Sequence, residues 1–197
     1  MKINKLRGAN LVSSLVLCSL LLVSCVAKYQ PVRSKDISVS EDYAMLKTEE
    51  YTLAVAYKYW IKEPQNLTDH LTALHIVCRN KTTDEVNISP TDFHLLDSDG
   101  NQTDIILPDK IASLLIPNEP YYDPLITDQN ILGEYKYAAE QRMSARSNLM
   151  TESFSFGKIL PGAKKSGFIF FPRLENENDA FTVSYKGKLI QFVRKKK

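Results

Sequence analysis

The sequence predicts an all-β protein, a two-sheet sandwich with an inserted proline-rich loop and α-helix at about residues 108–151. Two observations carry this prediction. About seven short apolar segments, each bounded by turn residues, recur along residues 43–197, and this spacing is typical of a sandwich. Between residues 108 and 151 the pattern stops, and prolines followed by a helical periodicity replace it.

The first strands are predicted from composition and alternation. The segment YTLAVAYKYWI at 51–61 is aromatic and β-branched, as strands are. LTALHIVCRN at 71–80 is apolar at both parities, which indicates a central strand buried on both faces. NKTTDEVNISP at 80–90 indicates a turn and a short edge segment. TDFHLLDSDGNQTDII at 91–106 indicates a hairpin that turns at Asp99-Gly100, because glycine accepts a positive φ.

The insertion begins with a proline-rich loop at 108–127, in which Tyr121 and Tyr122 lie among the prolines. A helix is then predicted from Asp128 to about Thr151, with Asp128 or Thr127 as its N-cap. Apolar residues at spacings of three, four and seven are expected on one face of this helix. They are Leu132, Tyr135, Ala139, Met143 and Met150.

Strands are predicted again after the helix. SFSFGKIL at 153–160 and FIFFP at 168–172 flank a turn, PGAKKSG, at 161–167. Pro172 ends the second of these strands, since proline cannot donate a ladder hydrogen bond. FTVSYKGKLIQFV at 181–193 predicts a closing hairpin that turns at Lys186-Gly187.

Three of these stretches together resemble the immunoglobulin-like domains of bacterial envelope lipoproteins. They are LTALHIVCRNKTTDEVNISPTDFHLLDSDGNQTD, LPGAKKSGFIFFP and FTVSYKGKLIQFV. In that family a strand ending in asparagine leads to a hairpin with F-x-L-x-D-x-D-G, and a Pro-Gly turn precedes a phenylalanine-rich strand. The resemblance covers about half of the chain and implies an immunoglobulin-like sandwich. Residues 108–151 have no counterpart in it, and an insertion is where a shared scaffold usually acquires its own task.

The N-terminus is organised as a signal peptide. Three basic residues precede an apolar stretch at about 11–23, which is shorter than the roughly 20 residues that cross a bilayer. Its end, Leu22-Val23-Ser24-Cys25, resembles the lipobox of bacterial lipoproteins. That resemblance implies removal of residues 1–24 as a signal peptide and anchoring to the lipid bilayer through an acylated Cys25, where two or three acyl chains hold stably. An ordinary secretory signal and an uncleaved anchor are the alternatives.

The lipobox resemblance also bears on location. An aspartate after the cysteine marks inner-membrane retention in enteric bacteria, so Val26 implies a lipid-anchored protein of the outer membrane. Residues 25–42 are polar, with one proline, and are predicted to be a lipidated cysteine with a flexible tether. The folded domain is then expected at residues 43–197.

Loss of the leader leaves 22 basic and 23 acidic residues, so the mature chain lacks the basic excess of a nucleic-acid-binding protein. Besides Cys25 it keeps Cys78, whose apolar surroundings indicate a buried, unreactive thiol. The basic stretch Arg194–Lys197 suits either contact with anionic headgroups or a solvated terminus. The solvated terminus is the preferred interpretation from the sequence.

No catalytic, cofactor-binding or metal site is predicted. The candidate soft metal ligands are His70, His75, Cys78 and His94. Their spacing along a strand places them on opposite faces or too far apart to share an ion. Asp97, Asp99 and Asn101 alternate as at the start of an EF-hand, but Pro108 occupies the position of the required glutamate. The sequence also lacks the hydrolase, zinc-protease and phosphate-loop motifs.

These observations predict a non-enzymatic envelope lipoprotein whose sandwich binds envelope proteins, as a subunit or accessory factor of an assembly. The candidate partner-binding residues are Tyr121, Tyr122, Tyr135 and Met143. Tyrosines on a rigid loop are good interface anchors, although the same two tyrosines would equally suit a cap over the sandwich core. The alternative function is a surface-exposed adhesin or ligand-binding lipoprotein.

Overall fold

The structure, a computed structural model, describes residues 29–117, 128–175 and 178–195. Antiparallel strands dominate these ranges. The strands are β1 (Tyr29–Pro31), β2 (Ile37–Ser40), β3 (Tyr43–Lys47), β4 (Tyr51–Tyr57), β5 (Leu71–Asn80), β6 (Val86–Ile88), β7 (Phe93–Leu96), β8 (Gln102–Asp104), β9 (Gly157–Ile159), β10 (Lys164–Pro172), β11 (Ala180–Tyr185) and β12 (Lys188–Arg194). The helices are α1 (Leu67–His70), α2 (Pro108–Leu115) and α3 (Gln129–Glu152).

Most of the strands belong to two five-stranded antiparallel sheets. Sheet I has the order β1-β12-β11-β7-β8 and sheet II the order β10-β5-β4-β3-β2, while β6 and β9 form a two-stranded ribbon. Side chains from both sheets meet in one apolar core between them. The predicted immunoglobulin-like two-sheet sandwich is therefore confirmed, and the helical insertion lies between β8 and β9.

The core between the sheets follows from period-two alternation. In β11, Phe181, Val183 and Tyr185 are buried and the residues between them are half-buried. The Tyr185 ring meets the Tyr51 ring of sheet II edge-on at 5.4 Å, and Phe181 stacks on Phe192 at 4.9 Å. Each large apolar side chain contributes about 1.5–3 kcal/mol when fully buried, so this core is the main source of stability in the sandwich.

The predicted central strand is confirmed as β5, with bounds Leu71–Asn80. Leu74, Ile76 and Cys78 point into the core between the sheets. Ala73, on the opposite face, is buried in a second apolar cluster together with residues of the insertion. Burial on both faces is the reason that this strand is apolar at both parities.

Both predicted hairpins are present. In the turn between β7 and β8, Asp97 Oδ1 accepts the backbone N–H of Asn101 at 2.8 Å, and Gly100 has a φ of 84°. In the turn between β11 and β12, Lys186 and Gly187 have φ angles of 47° and 77°. Two successive residues with positive φ form the tight turn whose twist matches that of the strands.

The flexible tether predicted at residues 25–42 is wrong where the structure describes it. β1 pairs with β12, and β2 pairs with β3, so the folded domain includes Tyr29 rather than beginning at residue 43. The Tyr29 ring lies against the rings of Tyr57 and Phe181, at 5.0 and 4.9 Å. The prediction failed because β1 and β2 are edge strands of three and four residues, too short for their composition or alternation to stand out from the polar residues around them.

Three other boundaries differ from the predictions. The strand predicted at 51–61 ends at Tyr57. The proline-rich loop predicted at 108–127 begins instead as α2, because Pro108 occupies the first turn of a helix, where its missing N–H costs nothing. β10 begins at Lys164, within the predicted turn at 161–167, because it pairs with β5 as far as Arg79.

Candidate partner-binding surface

The insertion covers part of the outer face of sheet II. α2 and α3 pack there around Trp60 and Phe170, in a second core separate from the core between the sheets. The buried side chains of this second core are Trp60, Leu67, Leu71, Ala73, Ile111, Ala112, Ile116, Ala145, Leu149 and Phe170. Ala145 and Leu149 are the contribution of α3, so the C-terminal half of this helix is held against the sheet.

The backbone that follows α3 is joined directly to sheet II. The Phe154 N–H donates to the carbonyl oxygen of Phe168 at 2.8 Å. A Cβ added to Gly167 would lie 2.5 Å from the Phe154 nitrogen, so the two backbones approach at a distance that only glycine permits. The end of the helix therefore has one defined position on β10.

Side chains make a further connection between α3 and the segment after β4. Lys62 forms an ion pair with Glu152, and the Asn148 side-chain amide donates to the Glu63 carbonyl at 3.1 Å. The ion pair is partly exposed and contributes little free energy. Together with the buried contacts, however, these bonds specify the rotation of α3 about its own axis.

The rotation of α3 divides the residues that the sequence placed near one face of the helix. These residues are Leu132, Tyr135, Ala139, Met143 and Met150. The first three are half-buried, but Met143 is 65% and Met150 is 50% exposed. Each residue advances about 100° around a helix, so the buried Leu149 lies roughly a quarter turn from Met150. The helix buries Ala145 and Leu149 against sheet II rather than Met143 or Met150, a choice that the spacing of apolar residues does not decide.

Met143 and Met150 thus form an exposed methionine face on a fixed helix. They are seven residues apart, which is two turns and about 10 Å along the axis. Tyr137 on the same helix is 65% exposed, and Ile61, which precedes the Lys62 partner of Glu152, is 86% exposed. Single exposed apolar residues are ordinary, but several around one rigid element are typical of an interaction site.

A half-buried polar and aromatic group lies on the outer face of sheet II near the end of α3. The Tyr43 hydroxyl and His75 Nδ1 are hydrogen-bonded at 3.0 Å, and the Phe168 ring meets the imidazole edge-on at 5.2 Å. Burial lowers the pKa of His75, and so does the nearby Lys58, whereas Glu152 acts in the opposite direction. The imidazole is therefore neutral at pH 7, and its uncharged ring belongs to the surface beside the methionine face.

The structure describes two of the predicted site residues, Tyr135 and Met143. Cys25, Tyr121 and Tyr122 lie outside the described residues. Tyr135 is half-buried, and Met143 is exposed as an interface residue must be. Sequence reasoning missed Ile61, which it placed at the end of the strand predicted at 51–61. The following KEPQN segment, with its proline, was the signal that the strand had already ended.

The other chemically notable residues have structural roles. Cys78 is fully buried, and burial raises its pKa to about 11, although Lys186 acts in the opposite direction. His94 Nδ1 and Asp104 Oδ1 are 2.8 Å apart on the exposed face of sheet I. Across the ranges that the structure describes, no group of three or more His, Cys, Asp or Glu side chains is placed to hold a metal ion. None of the described helices is both long and apolar enough to cross a bilayer.

Comparisons with known proteins add little to this description. No protein-family model matches the chain, and no curated protein matches it. Among solved structures, a secreted protein of Mycobacterium tuberculosis, MPT63, covers 75% of this chain and 89% of its own at 8% identity, with a TM-score of 0.36. A protein of unknown function from Listeria monocytogenes EGD-e covers 80% and 74% at 12% identity, with a TM-score of 0.32. Both TM-scores are below 0.5.

Proposed function

We propose that this protein is a non-enzymatic lipoprotein of the bacterial envelope that binds another envelope protein through α3. The observation that supports the proposal is the exposed methionine face, Met143 and Met150, on a helix that Ala145 and Leu149 fix to sheet II. The lipobox ending at Cys25 supports the anchor, and Val26 supports the outer membrane as its location.

A fixed helix is a favourable binding element. Binding costs free energy when side chains and segments must be ordered. Here the second core and the bond from Phe154 to Phe168 have already ordered the C-terminal half of α3. Methionine is flexible and polarisable, so it adapts to an apolar partner surface. The partner is expected to present an apolar groove that accepts the two methionines.

The test is co-purification from native membranes after cross-linking. A partner recovered with the natural protein should be reduced about tenfold or more by Met143→Glu combined with Met150→Glu, the loss typical of a central interface residue. The matched control is Leu160→Glu combined with Leu189→Glu. Those leucines are 61% and 62% exposed but lie in the sandwich, away from α3, so this control should leave recovery unchanged.

Three outcomes would contradict the proposal in different ways. Equal recovery with the Met143 and Met150 double variant would remove α3 from the interface. Equal recovery with Cys25→Ala would show that the partner does not depend on the anchor. The third outcome is that no partner is recovered and that proteases added to intact cells remove the protein. That outcome would instead favour the surface-exposed adhesin or ligand-binding lipoprotein.

A further inference from the structure

We propose that the outer face of sheet II has a further binding surface, which takes an acidic and partly apolar segment of another protein. Its centre is a row of three cations, Lys47, Arg79 and Lys164, which we call the basic row. Lys164 lies six residues along β10 from Phe170 of the second core, or about 20 Å. The basic row is thus separate from the methionine face and requires no lipid, so this inference goes beyond the proposed function and does not depend on it.

Strand register aligns the three cations. Arg79 of β5 lies between Lys164 of β10 and Thr52 of β4, and Thr52 lies opposite Lys47 of β3. Residues that are directly opposite in a sheet project from the same face. Alternate residues of one strand also share a face, so Arg79 projects on the same side as Ala73, which the insertion covers. The basic row therefore lies on the outer face, and its three side chains are exposed.

The charges of the basic row have no acidic counterpart within the described residues, where the ion pairs involve other side chains. Arg79 and Lys164 are moreover directly opposite one another. Like charges in this position destabilise a sheet. The fold thus retains an unfavourable pair at its surface, and a ligand that carries carboxylates would relieve it.

Further cations lie beside the basic row. An open pocket of about 500 Å³ next to Lys47 is lined in part by Arg33 and Lys35, from the turn between β1 and β2. Asp36 also lines this pocket, but its carboxylate pairs with Lys188 at 3.2 Å. The pocket therefore adds net positive charge to the Lys47 end of the row.

Two exposed acids lie near the same end of the row. They are Glu49 and Glu50, in the turn between β3 and β4. Lys81 approaches this turn, and its ammonium donates to the Thr48 carbonyl at 2.6 Å. The two carboxylates are thus partly offset by Lys81, and the cations of the row and the pocket remain in excess.

The residues next to the basic row favour a protein as the partner. They are Ser166, Val77, Ala54 and Met45, one from each of the same four strands. Val77 and Met45 are half-buried, so an apolar strip borders the charges. An inorganic anion or a phosphate polymer would contact only the charges, whereas a polypeptide segment with acidic and apolar side chains would also contact the strip.

The dimensions of the basic row fit an extended segment. Neighbouring strands are about 4.8 Å apart, so the row spans about 14 Å from β3 to β10. In an extended chain, side chains on one side recur about every 6.8 Å. Three alternate carboxylates therefore cover the same distance as the row, and the apolar side chains between them face the strip of Val77 and Met45.

Binding of a model peptide to the full-length protein, purified in an uncharged detergent, tests the surface. The probe is a fluorescently labelled peptide of about nine residues in which glutamate alternates with valine, long enough to span the row. Fluorescence anisotropy gives its dissociation constant. The comparison ligands are a peptide in which glutamate alternates with serine, and tripolyphosphate, which carries charge without apolar groups.

Arg79→Gln combined with Lys164→Gln should weaken binding of the glutamate–valine peptide by about fivefold or more, through the loss of two charge contacts. The matched control is Lys110→Gln combined with Arg146→Gln, which removes the same charges from exposed positions of α2 and α3. That control should change the dissociation constant by less than about twofold. Both comparison ligands should bind the natural protein about fivefold or more weakly, because they lack the contact of valine with the apolar strip.

A stability measurement separates loss of binding from loss of folding. Arg79→Gln alone should raise the urea midpoint of the full-length protein, because it removes one of two opposed like charges. Lys110→Gln should leave the midpoint nearly unchanged. If Arg79 served only to stabilise the sheet, its replacement would lower the midpoint instead, and the basic row would lose its support as a binding surface.

Three binding results would overturn the inference. Unchanged affinity of the variant that lacks the Arg79 and Lys164 charges would remove the basic row from the site. An equal loss in the Lys110 and Arg146 control would reduce the effect to the net charge of the protein. Equally tight binding of tripolyphosphate or of the glutamate–serine peptide would refute the assignment of an acidic and apolar protein segment. None of these results bears on α3 or on the lipid anchor, so the proposed function is tested separately.

Discussion

Replacement of Gly167 by alanine tests how the insertion is attached to the sandwich. The added Cβ would lie 2.5 Å from the nitrogen and 2.7 Å from the Cα of Phe154, and 2.6 Å from the carbonyl carbon of Ser153. Ordinary contacts begin near 3.4 Å, so one backbone must move by almost 1 Å. Neither can do so cheaply, because β10 pairs with β5 along its whole length.

The cost follows from two terms. Overpacking a tight interior position costs about 1–3 kcal/mol. Displacement of Phe154 also weakens its 2.8 Å hydrogen bond to Phe168, which is worth about 1 kcal/mol. Gly167→Ala should therefore lower the free energy of unfolding by about 2–4 kcal/mol.

Gly133→Ala is the matched control, because it makes the same chemical change where a Cβ would meet nothing within 4 Å. Gly133 lies inside α3, where alanine is favoured over glycine by up to about 1 kcal/mol. The two substitutions should thus shift stability in opposite directions.

Urea unfolding of the chain without its leader measures both effects. Circular dichroism follows the sheets, and the fluorescence of Trp60, the single tryptophan, follows the second core in which it is buried. A loss of about 2–4 kcal/mol corresponds to a fall of about 1–2 M in the urea midpoint. A Gly167→Ala variant with an unchanged midpoint would refute the described approach of Phe154 to β10.

Three further predictions concern the second core and two titratable groups. Leu149→Ala should cost about 2–5 kcal/mol, because Leu149 is fully buried, whereas Met143→Ala should change the urea midpoint by little; equal effects would contradict the rotation of α3 in the structure. Cys78, with a pKa raised to about 11, should resist alkylation at pH 8 in the folded protein and react once urea unfolds it; rapid labelling of the folded protein would contradict its burial. His75 has a lowered pKa in the folded state, so the unfolded chain takes up the proton first, and stability should decline as pH falls below the ordinary pKa of about 6.5. His75→Gln should reduce that decline, and a pH dependence identical to the natural protein would assign it to other groups.

The sequence was most informative where the structure of an element depends on residues close to it in the chain. β11 could be recognised because burial on one face places its apolar residues at alternate positions, and β5 because burial on both faces makes it apolar throughout. The Lys186-Gly187 turn and the N-cap at Asp128, whose carboxylate accepts the Asn130 N–H at 2.8 Å, could be recognised because short-range stereochemistry selects their residue types. In each case the cause acts within a few residues of the effect.

The sequence was least informative where a segment depends on a distant partner. β1 and β2 depend on pairing with β12 and β3, and with three and four residues they carry little signal of their own. α2 was not predicted, because Pro108 is typical both of a loop and of the first turn of a helix. The strand predicted at 51–61 was too long, because the apolar character of the sequence continues to Trp60, whose side chain is buried in the second core.

The sequence by itself determined the antiparallel sandwich, the place of the insertion and the candidate lipidation site at Cys25, because periodicity, turn chemistry and the lipobox are local patterns. Only the tertiary structure decided which side of α3 faces outward and that β1 pairs with β12 at the edge of sheet I. Rotation of a helix depends on the shapes of the surfaces it meets, here Gly167 and Trp60. The position of β1 depends on its pairing with β12, because the two strands are separated by almost the whole length of the domain.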